Sequence, residues 1–395
     1  MIDLSGNLFF CSARIQYENL GDIIINKILF SNLRNYGILM VDDRGIPDWV
    51  IEELDLKVDE RLSKIKYPFG LYLLILFFGL IALVKFNFKV YLIAMPGHHY
   101  GRIKNSINSL KSLSFFFIFR TIGIRICWFG ASIGPFLEMR QTVEKWKSNF
   151  MYFYSVRDSI SENYARMIGI NRVTHFPDLA WLMETPNLSN VPVGSDDDYV
   201  IFSFRKASHA LAESVEYKNN LCTVLDEIVK LVCGEWSKKL VISYQVEHDY
   251  EFCKWISDRY KKYCDVVFIE EKVNSQSMYN LYSRASLVFS NRLHVLLFAI
   301  ACGSLPIAVV DAAHHDKISG IFADAGLMQL LIDIGKEPCR VEVLREIFAN
   351  NPLIKEKITL YREERRNYGK ELFMRVITET YDRKDSLSGV VKSSN

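Results

Sequence analysis

Residues 286–310 read SLVFSNRLHVLLFAIACGSLPIAVV, and this stretch contains the elements that decide the fold. The apolar runs 286–290 and 305–310 are short, which is typical of buried strands. The apolar segment between them is longer and is predicted to be a helix. A strand, a helix and a second strand in this order predict a parallel sheet with helices packed on its faces.

The same alternation continues through the second half of the chain. Further strands are predicted at 199–204, 239–243 and 265–269, with helical segments between them. One of these segments has apolar residues at spacings of three and four, namely Leu221, Val224, Leu225, Ile228 and Val232. Because ligands of such sheets bind at the carboxyl ends of the strands, functional residues are expected directly after each strand.

The length of 395 residues favours two domains over one. The first half has predicted strands at 8–12, 38–42, 89–94, 124–129, 152–156 and 173–176. The polar stretch 186–198 contains two prolines and a glycine and is the predicted linker. The predicted organisation is an N-terminal domain 1–186, a C-terminal domain 195–340, a helical segment 341–381 and a disordered tail 382–395.

Composition excludes several classes of protein. With 48 Lys and Arg against 46 Asp and Glu, the net charge of +2 and the lack of a dense basic block argue against nucleic acid as a partner. The first residues have no basic region leading into an apolar run, so no signal peptide is expected. The eight cysteines form no CxxC pair and are predicted to be reduced, which indicates a cytoplasmic protein.

The stretch 69–84, FGLYLLILFFGLIALV, is sixteen residues without a charge. A membrane-spanning helix needs about 20 such residues, and the sequel KVYLIA is predicted to be a strand. We therefore expect a buried or partly exposed helix. The alternative is peripheral contact of this helix with the inner face of the membrane.

The strongest candidate site is Asn291-Arg292-Leu293-His294, which follows a predicted strand and opens a predicted helix. A guanidinium, an imidazole and the free N–H groups of a helix N-terminus together favour binding of a phosphate or a carboxylate. The alternative is that Arg292 caps the helix or forms a salt bridge and His294 is a core histidine. The position at a strand end favours the functional interpretation.

Several other segments contain candidate ligand-binding residues. The turn 17–22 is polar, follows the first strand and is not GxGxxG, so a dinucleotide is not indicated. The loop 129–135 contains two glycines that allow a close approach to a ligand. The candidates are Asn19, Gly21, Asp22, Ser132, Arg157, Asp158, Arg205, His98 and Lys317. For Asp22 the alternative is a helix N-cap, and for Arg157 with Asp158 it is a local ion pair in which Asp158 caps the next helix.

No metal site is predicted. Asp196-Asp197-Asp198 resembles the metal-binding motif of some sugar transferases, but it lies in the predicted linker. The adjacent pairs His98-His99 and His314-His315 have side chains that diverge, so one metal ion between them is not expected.

Across residues 15–330 these segments resemble the polysaccharide pyruvyl transferase family. The resemblance rests on the early N-x-G-D turn, the GASIGP loop, SVRDSISENYARMIGI followed by FPDLAW, and NRLHVLLFAIACGSLPIAV. Three departures are Asn291, where methionine is common, Met-Pro-Gly-His at 95–98 in place of a glycine run, and the unusually continuous apolar stretch 69–84.

The resemblance implies two Rossmann-like, doubly wound domains in a GT-B-like arrangement. It further implies transfer of the pyruvyl unit of phosphoenolpyruvate, as a ketal, to a surface polysaccharide or its lipid-linked precursor, without a cofactor. Arg292 and His294 would contact the donor, while Arg157 and the turn 19–22 would line the cleft.

Imidazole titrates near neutral pH, so His294 is predicted to protonate the donor or to bind the leaving phosphate. Arg292, Arg157 and Arg205 would hold the anionic groups, and Asp22 or Asp158 would activate the sugar hydroxyl. Two alternatives are a GT-B glycosyltransferase that uses a nucleotide sugar and a non-catalytic, membrane-associated binding protein.

Overall fold

The computed structural model describes residues 6–65, 70–85, 88–99, 103–184, 199–206, 214–336 and 341–378. Within these ranges the chain divides into two compact units. The first unit contains 6–17, 22–182 and 367–378, and the second contains 18–21 and the described residues from 183 to 366. The predicted linker 186–198 and the predicted tail 382–395 lie outside the described residues.

The first unit is built on a parallel sheet. Its described strands are β1 (Gly6–Ser12), β2 (Ile38–Asp42), β3 (Phe88–Ala94), β4 (Gly97–His99), β5 (Arg125–Ile133), β6 (Phe153–Val156) and β7 (Thr174–His175). They lie in the order β2-β1-β3-β5-β6-β7, with β4 paired to β5. The strand order reverses between β1 and β3, and the ends of these strands mark the place where ligands bind in such sheets.

The helices of the first unit cover the faces of this sheet. They are α1 (Leu20–Arg34), whose first two residues belong to the second unit, α2 (Asp48–Glu53), α3 (Leu71–Lys85), α4 (Ile103–Thr121), α5 (Glu138–Phe150) and α6 (Ser159–Met167). Phe10, Phe119 and Trp128 are fully buried in the core beneath α3 and α4. The strands are continuous apolar runs because both faces of the sheet are covered.

The second unit repeats this plan with a different strand order. Its described strands are β8 (Tyr199–Ser203), β9 (Lys239–Ile242), β10 (Val266–Phe268), β11 (Ala285–Ser290), β12 (Leu305–Val310) and β13 (Leu331–Asp333). They are parallel and lie in the order β10-β9-β8-β11-β12-β13. Here the order reverses between β8 and β11, so a ligand is expected beyond the ends of these two strands.

The helices of the second unit are α7 (Val215–Val229), α8 (Tyr250–Tyr260), α9 (Ser275–Tyr282), α10 (Leu293–Ala301), α11 (Asp316–Asp324), α12 (Val343–Ala349) and α13 (Asn351–Thr378), which ends in the first unit. Every residue of α10 except His294 is buried. The helix ends at Ala301 with Cys302 as its C-cap, and Gly303 follows with φ 87°. The N–H of Ser304 donates to the carbonyl of Ala299 over 2.9 Å, as in a Schellman motif.

The predicted strands are confirmed within one or two residues at most ends. The exception is β5, which extends to Ile133 through the predicted GASIGP loop. Two short strands, β4 and β13, were not predicted. Cys11, Cys127 and Cys302 are buried and unbridged, as expected for reduced core residues.

The apolar stretch 69–84 is a helix from residue 71 onward, as predicted, and of its residues only Ile75 and Gly79 are buried. Among the described residues, none of the helices combines the length and the apolar character that crossing a membrane requires.

Candidate active site

The turn that precedes α1 packs against the loop that follows β9. Asn19 forms an antiparallel bridge with Val246, and the N–H of Leu20 donates to the carbonyl of Gln245 over 3.3 Å. The side-chain oxygen of Asn19 accepts from the N–H of Gly21 over 3.0 Å. This bond satisfies a free donor of the first helical turn, so Asn19 caps α1. The alternative in which Asp22 is the N-cap is therefore wrong; Asp22 lies in the first turn of the helix.

Gly21 lies directly against His294. A Cβ atom placed on Gly21 would be 2.1 Å from Nδ1 of His294 and 2.8 Å from its Cβ. The imidazole also stacks on Phe298 with ring centroids 5.8 Å apart. Glycine is thus required at position 21 for the ring to occupy this place. Two motifs that are more than 270 residues apart in sequence form one structure.

Gly21→Ala is expected to lower the free energy of unfolding by about 1–3 kcal/mol, because the new methyl group overlaps the imidazole and one of them must move. Urea denaturation of the full chain measures this loss. Gly234→Ala is the matched control, since a Cβ there meets no atom within 4 Å.

The contact itself is tested by a double-mutant cycle. In the His294→Ala background the 2.1 Å overlap with Nδ1 is removed and the 2.8 Å approach to the Cβ atom remains, so Gly21→Ala should cost less than it does in the wild type. An equal loss of stability in both backgrounds would show that overlap with the imidazole is not the reason that position 21 requires glycine.

Arg292 forms a two-point ion pair with Asp249. Nη2 of Arg292 donates to Oδ1 of Asp249 over 2.6 Å, and Nε donates to Oδ2. The Asp249 side chain is 5% exposed and that of Arg292 is 20% exposed. Burial raises the pKa of Asp249, although the positive charges of Arg292 and Arg205 act in the opposite direction. The salt-bridge interpretation of Arg292 is therefore confirmed, while its contact with a donor stays a prediction.

Asn291 joins the two strands at the reversal point of the second sheet. Its side chain accepts from the N–H of Arg205 and donates to the carbonyl of Arg205, both over 2.9 Å. It also donates to the hydroxyl of Tyr217 over 3.0 Å. These bonds fix the ends of β8 and β11 side by side, which places Arg205 next to the residues that open α10.

His315 follows β12 and is 4% exposed. Its Nδ1 is 2.9 Å from the carbonyl of Asp311, which can only accept, so Nδ1 bears the proton. Nε2 is buried and has no hydrogen-bond partner among the described residues. Burial and the positive charge of Arg205 lower the pKa of His315 to about 4, so the ring is neutral at physiological pH. Lys317 lies half-buried in the first turn of α11.

In the first unit, the predicted residues Ser132, Arg157 and Asp158 form a buried network with Asp178. Arg157 donates from Nη1 to Asp178 over 2.6 Å and from Nε to the hydroxyl of Ser132 over 2.7 Å. That hydroxyl donates to Asp158 over 2.7 Å. Asp158 also caps α6 through the N–H of Ser161, which confirms the capping alternative. The ion pair of Arg157 is with Asp178 and not with its neighbour, because Asp158 is used by the cap and Ser132.

His98 and Asp22 lie near the reversal point of the first sheet. Nε2 of His98 is 2.9 Å from the carbonyl of Gly134, so this nitrogen donates. Gly97 has φ 123°, and a Cβ atom there would lie 3.9 Å from the carboxylate of Asp22. Glycine is favoured at this position because the left-handed conformation strains other residues.

The structure thus assembles the predicted residues into groups within each unit. Asn19, Gly21, Arg205, Arg292 and His294 cluster in the second unit, and Ser132, Arg157 and Asp158 cluster in the first. The sequence analysis missed three members of the group in the second unit, namely Asp249, Tyr217 and His315. Asp249 and His315 follow predicted strands, and this position is the one signal that could have indicated these two residues. No group of His, Cys, Asp and Glu among the described residues could hold a metal ion.

Two α/β units with parallel, doubly wound sheets define a fold of the GT-B type, and solved structures share it. The UDP-GlcNAc 2-epimerase of Neisseria meningitidis bound to UDP-GlcNAc is 13% identical over 94% of this chain and 98% of that chain, with a TM-score of 0.54. The UDP-GlcNAc 2-epimerase of Methanocaldococcus jannaschii is 15% identical over 91% of this chain and 92% of that chain, with a TM-score of 0.50. Identities this low show the fold alone.

The sequence specifies the family. The model of the polysaccharide pyruvyl transferase family matches residues 19–303, which is most of the chain. The match begins at the Asn19 turn and ends where α10 is capped, so it includes both motifs that meet at Gly21 and His294. The chain belongs to the polysaccharide pyruvyl transferase family and is a transferase. No curated protein matches its sequence.

Proposed function

We propose that the protein transfers the pyruvyl unit of phosphoenolpyruvate to two hydroxyls of a sugar in a surface polysaccharide or its lipid-linked precursor. The main support is the family match, whose two end motifs pack together at Gly21 and His294. Phosphoenolpyruvate has a phosphate and a carboxylate. Arg205, Arg292 and the first N–H groups of α10 offer positive charge at one strand edge.

The proposed reaction needs proton transfer and charge stabilisation. Protonation of the C3 methylene leaves a cationic centre at C2, to which a first sugar hydroxyl adds with loss of its proton. A second hydroxyl of the sugar then displaces phosphate and completes the ketal. His294 is proposed as the proton donor, because its imidazole stands in the first turn of α10, two residues after Arg292. The arginines would stabilise the charge that develops on the departing phosphate.

Donor binding tests this proposal through the thermal unfolding of the full chain. Phosphoenolpyruvate at 100 times its dissociation constant should stabilise the fold by about 2.7 kcal/mol. Pyruvate, inorganic phosphate and a panel of UDP-hexoses are the comparison ligands, and they should stabilise the protein less. Stabilisation by a UDP-hexose and not by phosphoenolpyruvate would favour a glycosyltransferase. Stabilisation by none of these ligands would contradict both reactions and favour a non-catalytic binding protein.

A further inference from the structure

The basic residues of this chain are segregated. Between Glu60 and Glu138 the sequence has no acidic residue, but it has ten basic ones, namely Arg61, Lys64, Lys66, Lys85, Lys89, Arg102, Lys104, Lys111, Arg120 and Arg125. Since the whole chain has 48 basic and 46 acidic residues, this stretch has a formal charge of +10 and the remainder has −8. A net charge near zero therefore conceals one strongly basic region.

Helix α3 lies in this region and is apolar on the side that faces solvent. Leu73, Phe77, Leu80 and Val84 follow one another at spacings of four, three and four and are 47%, 57%, 49% and 78% exposed. This spacing puts them in one stripe along the helix. The inward side packs so closely that a Cβ atom on Gly79 would lie 2.5 Å from Ile124. A surface helix of a globular domain ordinarily has polar residues on its outer side.

Helix α4 extends the apolar surface. Tyr72 of α3 contacts Phe115 and Phe119 of α4, with ring centroids 5.1 and 5.7 Å apart, so the two helices are neighbours. On α4, Leu110 and Phe117 are seven residues apart and are 49% and 55% exposed. A large patch of exposed apolar side chains on a soluble protein typically marks a site of contact with another protein or with a membrane.

Basic side chains occur at the ends of the same helices. Lys85 ends α3, and Arg120 lies exposed in the last turn of α4. No ion pair joins either of them to a carboxylate among the described residues. An apolar surface flanked by unpaired positive charge is complementary to a bilayer with anionic headgroups. The apolar side chains can enter the acyl chains, and the basic side chains can pair with the headgroups.

We propose that the outer surface of α3 and α4, defined by Leu73, Phe77, Leu80, Val84, Leu110 and Phe117, lies in the interface of an anionic membrane. The fifteen residues of α3 extend about 22 Å, against about 30 Å for the hydrocarbon core. The chain enters β3 at Phe88 and pairs there with β1, which holds the end of α3 at the sheet. The helix therefore lies along the membrane surface. The inference does not depend on the reaction proposed above.

Vesicle co-sedimentation of the full chain tests the proposal. The probes are vesicles of phosphatidylcholine alone and of phosphatidylcholine mixed with phosphatidylglycerol. We expect binding to the anionic vesicles, with affinity that falls as salt rises. Lys85→Glu/Arg120→Glu should weaken this binding by about tenfold or more, and Phe77→Ser/Leu80→Ser should weaken it by a similar factor. The control pairs are Lys230→Glu/Lys262→Glu and Leu353→Ser/Leu360→Ser, which change exposed residues of the second unit.

Three results would overturn the proposal. Equal binding to neutral and anionic vesicles would show that the basic residues do not contribute to binding. Equal losses of vesicle affinity in the control pairs would show that binding is not specific to α3 and α4. The third is an absence of vesicle binding together with a dimer that Phe77→Ser/Leu80→Ser dissociates in analytical ultracentrifugation. That outcome would assign the surface to a second copy of the chain.

Discussion

Replacing His294 with alanine is expected to lower turnover of phosphoenolpyruvate by about 10²- to 10⁴-fold while donor affinity changes little. A positioned proton donor acts chiefly in the transition state, and its loss typically costs a factor of this size. Turnover is measured as phosphate release with a panel of p-nitrophenyl hexosides as acceptors. Binding of phosphoenolpyruvate is measured separately by calorimetry.

The same substitution also opens a space next to Gly21, so a structural effect must be separated from a chemical one. His294→Gln retains a polar side chain of similar reach that does not transfer protons at neutral pH. It should bind the donor and remain as slow as the alanine variant. His314→Ala is the control, because that histidine is exposed on the loop after β12. Normal turnover in either His294 variant would assign the proton transfer to another residue.

Much of the fold could be predicted because parallel strands covered on both faces are continuous apolar runs. The runs at 199–204 and 286–290 are examples, and both are strands at the centre of the second sheet. The strands β4 and β13 were missed because each has three residues, too few for a periodic pattern. The sequence of β4, Gly-His-His, is also not apolar.

The strand-end rule located the candidate site but could not pair its members. It placed Arg292, Arg157 and Arg205 at the carboxyl edges of two sheets, where the structure has them. It could not show that Arg292 pairs with Asp249, which is 43 residues earlier, because such pairs depend on how the loops are packed. The role of Gly21 was inaccessible for the same reason, since the need for glycine arises only when His294 lies against it.

The ion pair between Arg292 and Asp249 leads to the second prediction. Arg292→Ala is expected to lower the free energy of unfolding by about 3–5 kcal/mol, since it leaves a buried carboxylate without its partner. The double variant Arg292→Ala/Asp249→Asn removes both charges and should recover much of this loss. Urea denaturation of the single and double variants measures both effects. Similar stabilities of the single variant and the wild type would show that the pair is not structural.

The pH dependence of this loss has a definite sign. Burial already raises the pKa of Asp249, and removal of Arg292 takes away an interaction that lowers it. In Arg292→Ala the carboxyl group therefore protonates more readily in the folded state than in the unfolded state. The stability difference from the wild type should accordingly shrink as pH falls through the pKa of the folded variant. A difference that is constant with pH would mean that the lost stability arises from packing.

The double variant also separates the two roles assigned to Arg292. If the guanidinium contacts the donor directly, Arg292→Ala should weaken phosphoenolpyruvate binding by about tenfold or more. The double variant should then still bind phosphoenolpyruvate weakly, although its free energy of unfolding has recovered. Arg292→Lys should also bind poorly, because an ammonium cannot reproduce the two-point geometry. If donor affinity instead returns together with stability in the double variant, Arg292 only holds the loop of Asp249 in place. The donor anions must then be bound by other cations, and Arg205 is one candidate, because Asn291 joins it to the same strand end.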